Sequence, residues 1–476
     1  MKRSAILLAL LLLTTSASGA AQPLSFGQAL QRVMATYPSL QVAQEQLQKA
    51  KQDRVKVESQ LGWVLGAQAG VSHDVSPLTG TPADTATLGT SLNRGLASGG
   101  TLGISGSYNY TDSSFSFPGL PNPSYMGRVD LNWRKPLERG AGNPDYKQGL
   151  ISADASAAIA QANLHSARDQ IAQQTMSLFY GAALTWAQLQ NARDGVQRAK
   201  RLLRHVRSNA RLGLAEDKDL LQSEAQLRAQ SAQVDALIAA WETQRTSLNR
   251  LMGQPADAEF VPVLPAETAP VQGDAAAIYK QALAYSPDLA RLKAQVDIAQ
   301  AQLARSRDAK RSQLDLVMGI GAGNLQGVST PTNVNQSDYA ASVQLQYQKA
   351  LDRRGVDATV VQAELDRSIA QRQLQSTKDD IRYNITGLLD DLRASRDAVD
   401  AQHQRVTAEQ KKLKDAEQRY RSGRADTIEV IQFENDLFFA RLALEQQRIS
   451  LIQKRFALEL LRGSLWDTIR LPAQYR

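Results

Sequence analysis

Apolar residues recur every seven positions along two long stretches of the chain. The first series is Leu164, Ile171, Leu178, Leu189, Val196, Leu203 and Ala210, and the second is Leu374, Ile381, Leu388, Val399, Val406, Leu413 and Tyr420. Each series contains one step of eleven, between its third and fourth members. Sustained heptads predict coiled-coil helices, and a step of eleven is a stutter that locally unwinds the supercoil.

A glycine, at 213 and at 423, follows each series, and a second heptad begins soon after it. The second series are Leu220, Leu227, Val234, Trp241 and Leu248, and Val430, Leu437, Leu444, Leu451 and Leu458. Glycine tolerates the left-handed conformation that ends many helices, so we expect two antiparallel helical hairpins. The incoming helix over about 150–212 would be roughly 90 Å long at 1.5 Å per residue.

Ahead of each hairpin the apolar period changes from seven to two. Alternating segments lie at about 62–72 and 125–134, and again at about 313–322 and 338–348. Such alternation is typical of transmembrane strands with a lipid face and a wet face, although a soluble sandwich of short strands would also alternate. Four isolated strands cannot close a barrel, and open edges do not survive in hydrocarbon. A trimer would supply about twelve strands, within the known range of outer-membrane barrels.

The two halves of the chain repeat each other. Pro38 corresponds to Pro287 at a shift of 249, and Gly213 corresponds to Gly423 at a shift of 210. These shifts predict one helix-strand-strand-helix architecture present twice, over 22–255 and 274–463, with a linker at 256–273 and a tail at 464–476. The difference between them, 249 minus 210, places 39 extra residues in the first repeat.

The extra residues contain a predicted β-hairpin at about 86–111. Its turn is formed by the segment from Arg94 to Gly100, and alternation resumes from Leu102 to Tyr110. We expect this hairpin to project from the cell surface as an extension of the barrel mouth. The alternative places both added strands in the wall, which gives six strands per protomer and about eighteen in a trimer.

The amino terminus predicts export. Lys2 and Arg3 precede an apolar run from Ala5 to Leu13 and small residues up to Ala21, the order of a secretory signal peptide over 1–21. This run is shorter than the ~20 residues that span a bilayer, and no later uncharged stretch is that long. The chain has no cysteine, which excludes disulfides and lipid attachment through a thiol. The net charge is +8, but the basic residues alternate with acidic ones along the predicted helices. This pattern favours solvated helix faces over a nucleic-acid surface.

Several segments together resemble the TolC-type outer-membrane efflux family over about 24–463. They are Ala35-Thr36-Tyr37-Pro38-Ser39-Leu40, Trp133-Arg134-Lys135-Pro136-Leu137-Glu138-Arg139-Gly140 and Tyr420-Arg421-Ser422-Gly423-Arg424-Ala425. The resemblance implies a mixed α and β homotrimer, in which a twelve-stranded barrel in outer-membrane lipid continues as a periplasmic helical coiled-coil barrel. It also implies a periplasmic adaptor protein and an inner-membrane pump as partners.

The resemblance also implies that the periplasmic end of the channel is closed by carboxylates one helical turn apart. Glu429 falls on the first of these positions and Gln432 on the second, and Asp219 and Gln222 are their counterparts in the first repeat. A carboxylate ring would select for cations. Alternatively, Glu429 is a solvated residue favoured by the helix dipole in a first helical turn, and both interpretations stay open.

The two glycine turns are the predicted contacts for the adaptor, because both long hairpins reverse there, far from the strands. Their residues are Arg211, Leu212, Gly213, Leu214, Arg421, Ser422, Gly423 and Arg424.

Other chemistry has little support in the sequence. The four histidines lack metal-ligand spacing, and Gly319-Ile320-Gly321-Ala322-Gly323 fits a glycine-rich strand better than a phosphate loop. We therefore predict no enzyme, no cofactor and no metal. Two functions remain: an exit duct for solutes, and a coiled-coil structural or adhesive envelope protein without a channel. The strands favour the duct.

Overall fold

The computed structural model describes residues 22–76, 80–114, 120–213, 215–265, 273–329 and 332–468. The predicted signal peptide, Leu214 and most of the predicted tail lie outside the described residues. In chain order the elements are β1 (Gln22–Ser25), α1 (Phe26–Thr36), α2 (Pro38–Ser59), β2 (Trp63–Val75), β3 (Pro82–Gly95), β4 (Thr101–Ser113), β5 (Ser124–Pro136), α3 (Pro144–Arg211), α4 (Asp217–Leu251), β6 (Phe260–Val263), α5 (Ala275–Tyr285), α6 (Pro287–Ala309), β7 (Gln313–Ser329), β8 (Thr332–Gln348), α7 (Arg354–Arg421), α8 (Thr427–Leu461) and α9 (Leu465–Thr468).

The chain forms two compact units that do not coincide with the two repeats. The first comprises the described parts of Met1–Gln41, Ala167–Ser286 and Ile381–Arg476, and the second comprises Val42–Ser166 and Pro287–Asp380. The helices α3 and α7 both have 68 residues, and their bounds differ by 210 at both ends, 354 minus 144 and 421 minus 211. Among the described helices, none has the length and apolarity needed to cross a bilayer.

The first unit is helical, and heptad positions form much of its core. In one buried cluster, the heptad positions Val406 and Leu413 of α7 and Val430 of α8 pack together. Leu202 and Val206 of α3 join this cluster, although neither belongs to the heptad series predicted for that helix. Side chains seven residues apart lie on one helix face, so they meet the same neighbour turn after turn. This packing makes the three helices one hydrophobic body in this unit.

Two short strands and several aromatic side chains also belong to the first unit. The strand β1 pairs in parallel with β6, and β6 lies in the segment interpreted as a linker from the sequence. The ring of Trp241 lies 4.9 Å from that of Trp186 and 5.4 Å from that of Phe260, measured between centroids. These tryptophans therefore pack against each other, and Phe260 joins the linker segment to the helical core.

The second unit contains a six-stranded antiparallel sheet in the order β2-β3-β4-β5-β7-β8. The strands β3 and β4 are the hairpin that we expected outside the wall. Instead β3 pairs with β2 from Arg94 to Pro82, and β4 pairs with β5 from Thr101 to Thr111. The expectation of four strands per protomer is therefore wrong for this sheet. Because the hairpin alternates with the same period as its neighbours, its apolar side chains extend the apolar face of the sheet.

The turn of this hairpin lies at the end of the sheet that leads into α3. The backbone N–H of Gly142 donates to the carbonyl of Ser98 at 2.8 Å, and the side chain of Asn143 donates to the carbonyl of Leu96 at 2.9 Å. Gly99 and Gly100 have φ values of 90° and 84°. A side chain on Gly99 would collide with Gly140 in the connection between β5 and α3, and one on Gly100 would collide with Arg134 at the end of β5. The expected position of this turn at the barrel mouth is therefore wrong, since it is held against the segment that precedes a long helix.

Candidate constriction and docking turns

The turn between α7 and α8 is closed by backbone hydrogen bonds around Gly423. The N–H of Gly423 donates to the carbonyl of Tyr420 at 3.0 Å, and the N–H of Arg424 donates to the carbonyl of Arg419 at 2.8 Å. Gly423 has a φ of 69°, in the left-handed region that favours glycine. This pair of bonds is the Schellman motif, which satisfies the last carbonyls of a helix and redirects the chain.

The turn after α3 has the same glycine conformation. Gly213 has a φ of 73°, and its N–H donates to the carbonyl of Ala210 at 3.0 Å. The side chains of both turns are exposed on this protomer: Arg211 and Leu212 in the first, and Arg421, Ser422 and Arg424 in the second. Leu214 was the remaining predicted docking residue, and it lies outside the described residues. Apart from Leu214, the predicted docking residues are therefore accessible on this chain.

Glu429 lies in the first turn of α8 and is bound by an arginine of α7. The guanidinium of Arg419 donates from Nη2 to Glu429 Oε1 at 2.6 Å and from Nε to Asp415 at 3.0 Å. The hydrogen bond to Glu429 is the main cause that raises the pKa of Arg419. The carboxylate thus has a cationic partner within its own chain, which sequence reasoning missed because ten residues and a turn separate the two.

Asp219 occupies the corresponding position at the start of α4 but has a different partner. Its Oδ2 accepts a hydrogen bond of 3.3 Å from the backbone N–H of Glu216, which satisfies one of the unpaired donors at a helix start. One turn further along, Gln222 is half-buried and Gln432 of α8 is exposed. The two acids share a helical position, and one caps its helix while the other pairs with arginine.

A tyrosine at the end of α7 links three helices near these acids. The buried hydroxyl of Thr427 in α8 donates to the Tyr420 hydroxyl at 3.1 Å, and the Tyr420 ring lies 5.5 Å from that of His205 in α3. Burial raises the pKa of Tyr420. The heptad marked Tyr420 as a packing residue, and nothing in the sequence pattern indicated its hydrogen bond to Thr427.

Charged residues also occupy the polar face of the sheet in the second unit. Arg128 donates to Asp130 at 2.9 Å and to Asp338 at 3.3 Å, while Arg134 donates to the buried carboxylate of Asp315 at 2.7 Å. None of these ion pairs was predicted from the sequence. The signal was present, since Arg128, Asp130 and Arg134 occupy the positions of β5 that alternate with its apolar residues. The polar face therefore carries paired charges of both signs.

Solved outer-membrane channels share this fold. The outer-membrane channel OprN aligns with a TM-score of 0.68 at 17% identity, over 92% of this chain and 89% of that one. VceC from Vibrio cholerae aligns with a TM-score of 0.65 at 16% identity, over 92% and 96%. CmeC from Campylobacter jejuni aligns with a TM-score of 0.66 at 13% identity, over 95% and 90%. The chain thus has the fold of an outer-membrane channel.

A family match agrees with the fold. Residues 278–464 match the family model described as outer membrane efflux protein, a segment that covers nearly all of the second repeat. No curated protein matches the chain by sequence. This segment is similar to outer membrane efflux proteins, so the resemblance stated from the sequence is confirmed.

Proposed function

We propose that this protein is the outer-membrane exit duct of a tripartite efflux or secretion system, through which solutes pass from the periplasm or a pump to the exterior. The observation that carries the proposal is the six-stranded sheet, which has one apolar face and one polar face. Strands of this kind present alternate side chains to lipid and to water. The family match to outer membrane efflux proteins supports both the location and the efflux role.

The separation of the two faces persists across the whole sheet. One register row carries apolar side chains on all six strands: Leu65, Leu92, Ile104, Leu131, Ile320 and Ala341. A row on the opposite face carries Gln68, Gly89, Ser107, Arg128, Gly323 and Asp338. In a soluble structural coiled-coil protein, a sheet with a continuous exposed apolar face would promote aggregation in water. This face therefore argues against that alternative function.

The two edge strands of the sheet support closure by further copies of the chain. On β8, Tyr339 is 91% exposed and Val343 is 69% exposed, and on β2 Leu65 and Val71 are also exposed. Open strand edges cannot stay unpaired in hydrocarbon, so β2 of one copy would pair with β8 of the next. Three copies would then close a barrel of eighteen strands, an even number within the known range.

An apolar stripe on α7 fits the same homotrimer. Val361, Leu365 and Ile369 are spaced by four residues, and each side chain is more than half exposed. Residues four apart lie on one face of a helix. The stripe belongs to the same unit as the open sheet edges, so the occupant we infer for it is a second copy of the chain.

The constriction and the partners complete the proposal. Glu429 and Asp219, with Gln432 and Gln222 one turn further, would surround the closed periplasmic aperture. Because Arg419 offsets the charge of Glu429, cation selectivity would be weaker than for a ring of free carboxylates. A periplasmic adaptor, joined to an inner-membrane pump, would contact the exposed turns at Gly213 and Gly423.

The test combines assembly and conductance of the full-length protein. Outer-membrane fractions should yield an SDS-resistant, heat-modifiable trimer, and the purified trimer should form discrete channels in planar bilayers. Bulky substitutions at Gly213 or Gly423 should reduce adaptor crosslinking in cells while the trimer persists. A soluble periplasmic species without conductance would refute the duct, and unchanged crosslinking would refute the docking turns alone.

A further inference from the structure

A cavity in the helical unit carries an excess of positive charge. It has a volume of about 440 Å³ and is lined by side chains of α3, α7 and α8. Cavities of roughly 300–1,000 Å³ accommodate small organic ligands. The residues that define it here are Arg198, Arg201, His205, Glu417, Arg421 and Glu434.

Most of the basic residues that line the cavity lie on α3. Arg198, Arg201 and His205 follow one another on α3 at steps of three and four, so they lie on one face of that helix. Arg204 of α3 and Arg421 of α7 also line the cavity. Four arginines therefore line one space, and arginine forks match the geometry of carboxylate and phosphate groups.

Two carboxyl groups line the cavity and do not balance this charge. Glu434 is only 6% exposed, and burial raises its pKa to about 7, so its negative charge is incomplete near neutral pH. The groups that face it are Arg198 and Arg201 on α3 and Glu417 on α7. Four cationic groups thus face at most two anionic ones.

Arg198 provides an independent sign of a missing partner. Its Nε is buried and finds no hydrogen-bond acceptor within the described part of the chain. Burial is the main cause that lowers the pKa of Arg198. The carboxylates of Glu434 and Asp194 oppose this shift, and the guanidinium groups of Arg441 and Arg201 add to it. A buried donor without an acceptor costs free energy, which a bound oxyanion would recover.

We propose that this cavity binds a small organic anion with two or more carboxylate or phosphate groups. The ligand replaces the missing acceptor at Arg198 and offsets the repulsion among the arginines. The cavity volume admits a molecule of the size of a tricarboxylate, and the four guanidinium groups favour more than one anionic group on it. Of the residues that line the cavity, Arg421 belongs to the proposed docking turns, and Glu429 is not among them.

Calorimetric titration of the full-length protein in detergent tests the site. Citrate and pyrophosphate are titrated separately at constant ionic strength, with sodium chloride as the reference salt, so the two arms distinguish a carboxylate from a phosphate ligand. Saturable binding of at least one of them is expected. Arg201 is exposed, so Arg201→Gln should fold normally and weaken that binding about tenfold or more, as expected for the loss of a charge-assisted hydrogen bond.

Two further variants test whether the change in anion binding is specific to the cavity. Arg193→Gln removes an exposed arginine of the same helix that does not line the cavity, and it should bind like the wild type. Glu434→Gln removes negative charge from the wall and should tighten binding several-fold at pH 8. The proposal is overturned if neither anion binds saturably, if Arg201→Gln binds like the wild type, or if Arg193→Gln weakens binding equally.

Discussion

Arg419 holds Glu429 by a hydrogen bond of 2.6 Å, so the acid that opens α8 is paired with the last turns of α7. Both side chains are partly exposed, and such a pair contributes little to stability. Its consequence is electrostatic, because each partner offsets the charge of the other.

The pair predicts opposite effects of two substitutions on ion selectivity. Arg419→Gln should strengthen cation preference because it leaves the Glu429 carboxylate uncompensated, and Glu429→Gln should weaken it. Reversal potentials in planar bilayers under a salt gradient measure both effects. If both variants shifted the potential in the same direction, or if neither did, Glu429 would not line the aperture.

A second prediction concerns the faces of the sheet. Leu131 lies in the apolar row and Asn132 on the opposite face, and both side chains are exposed on the protomer. Leu131→Lys should destabilise the assembled barrel by about 2–4 kcal/mol because it places a charge against hydrocarbon. Asn132→Lys is the matched control and should assemble normally. Yields of the heat-modifiable trimer distinguish the two, and equal yields would contradict the assigned lipid face.

The third prediction uses the two ends of the sheet. Ser98 lies at the end beside Gly142, and Leu120 is 58% exposed in the connection between β4 and β5 at the opposite end. In intact cells, a cysteine at position 120 should react with an impermeant thiol reagent, whereas a cysteine at position 98 should react only after the outer membrane is permeabilised. Labelling of both positions in intact cells would instead support the surface-exposed hairpin that was predicted from the sequence.

Much of the architecture could be predicted because it depends on periodicity within each segment. The sequence predicted a long helix over about 150–212, and the structure has it at Pro144–Arg211. A heptad repeat can be recognised within one segment, without knowing which helix packs against it. The alternation at about 62–72 likewise indicated β2, which runs on to Val75.

The sequence patterns do not predict which helices and strands lie next to each other in the fold. Alternation determines which side chains of β3 share a face, but it does not determine which strand lies beside it. The strands β1 and β6 have four residues each, too few for a periodic signal. The contact between Arg419 and Glu429 depends on how a turn returns the chain, and the arginine cavity depends on the packing of three helices.

The fourth prediction concerns pH. The pKa of Glu434 is raised from 4.5 to about 7, mainly by burial, while Arg198 and Arg201 oppose this rise and Glu417 adds to it. Between these values the folded protein keeps a proton that the unfolded chain has released. The free energy of unfolding should therefore decrease as pH rises from 4.5 to about 7, by about 3 kcal/mol at most, and then level off.

Thermal unfolding of Glu434→Gln checks this dependence. The substitution should raise the melting temperature at pH 8 and have little effect at pH 4.5, because glutamine resembles the protonated acid. Glu242→Gln, at an exposed position of α4, should change the melting temperature little at either pH. An equal shift for Glu434→Gln at both pH values would show that the buried carboxyl keeps its ordinary pKa.

The fifth prediction compares two glycines of one hairpin. Neither Gly387 within α7 nor Gly423 after it has an atom near the position of a Cβ, but only Gly423 has a positive φ. Gly387→Ala should stabilise the protein by roughly 1 kcal/mol through helix propensity. Gly423→Ala should destabilise it by roughly 1–2 kcal/mol through backbone strain. Melting temperatures that shift in the same direction would argue against the left-handed turn.

The hairpin of β3 and β4 also has an evolutionary consequence. Because it adds strands as an antiparallel pair, the chain leaves β2 and enters β5 in the same directions that it would have without the insertion. An insertion of this kind therefore widens the sheet by two strands without reversing the direction in which the chain enters the elements that follow. The width of such a sheet is thus free to diversify in whole hairpins.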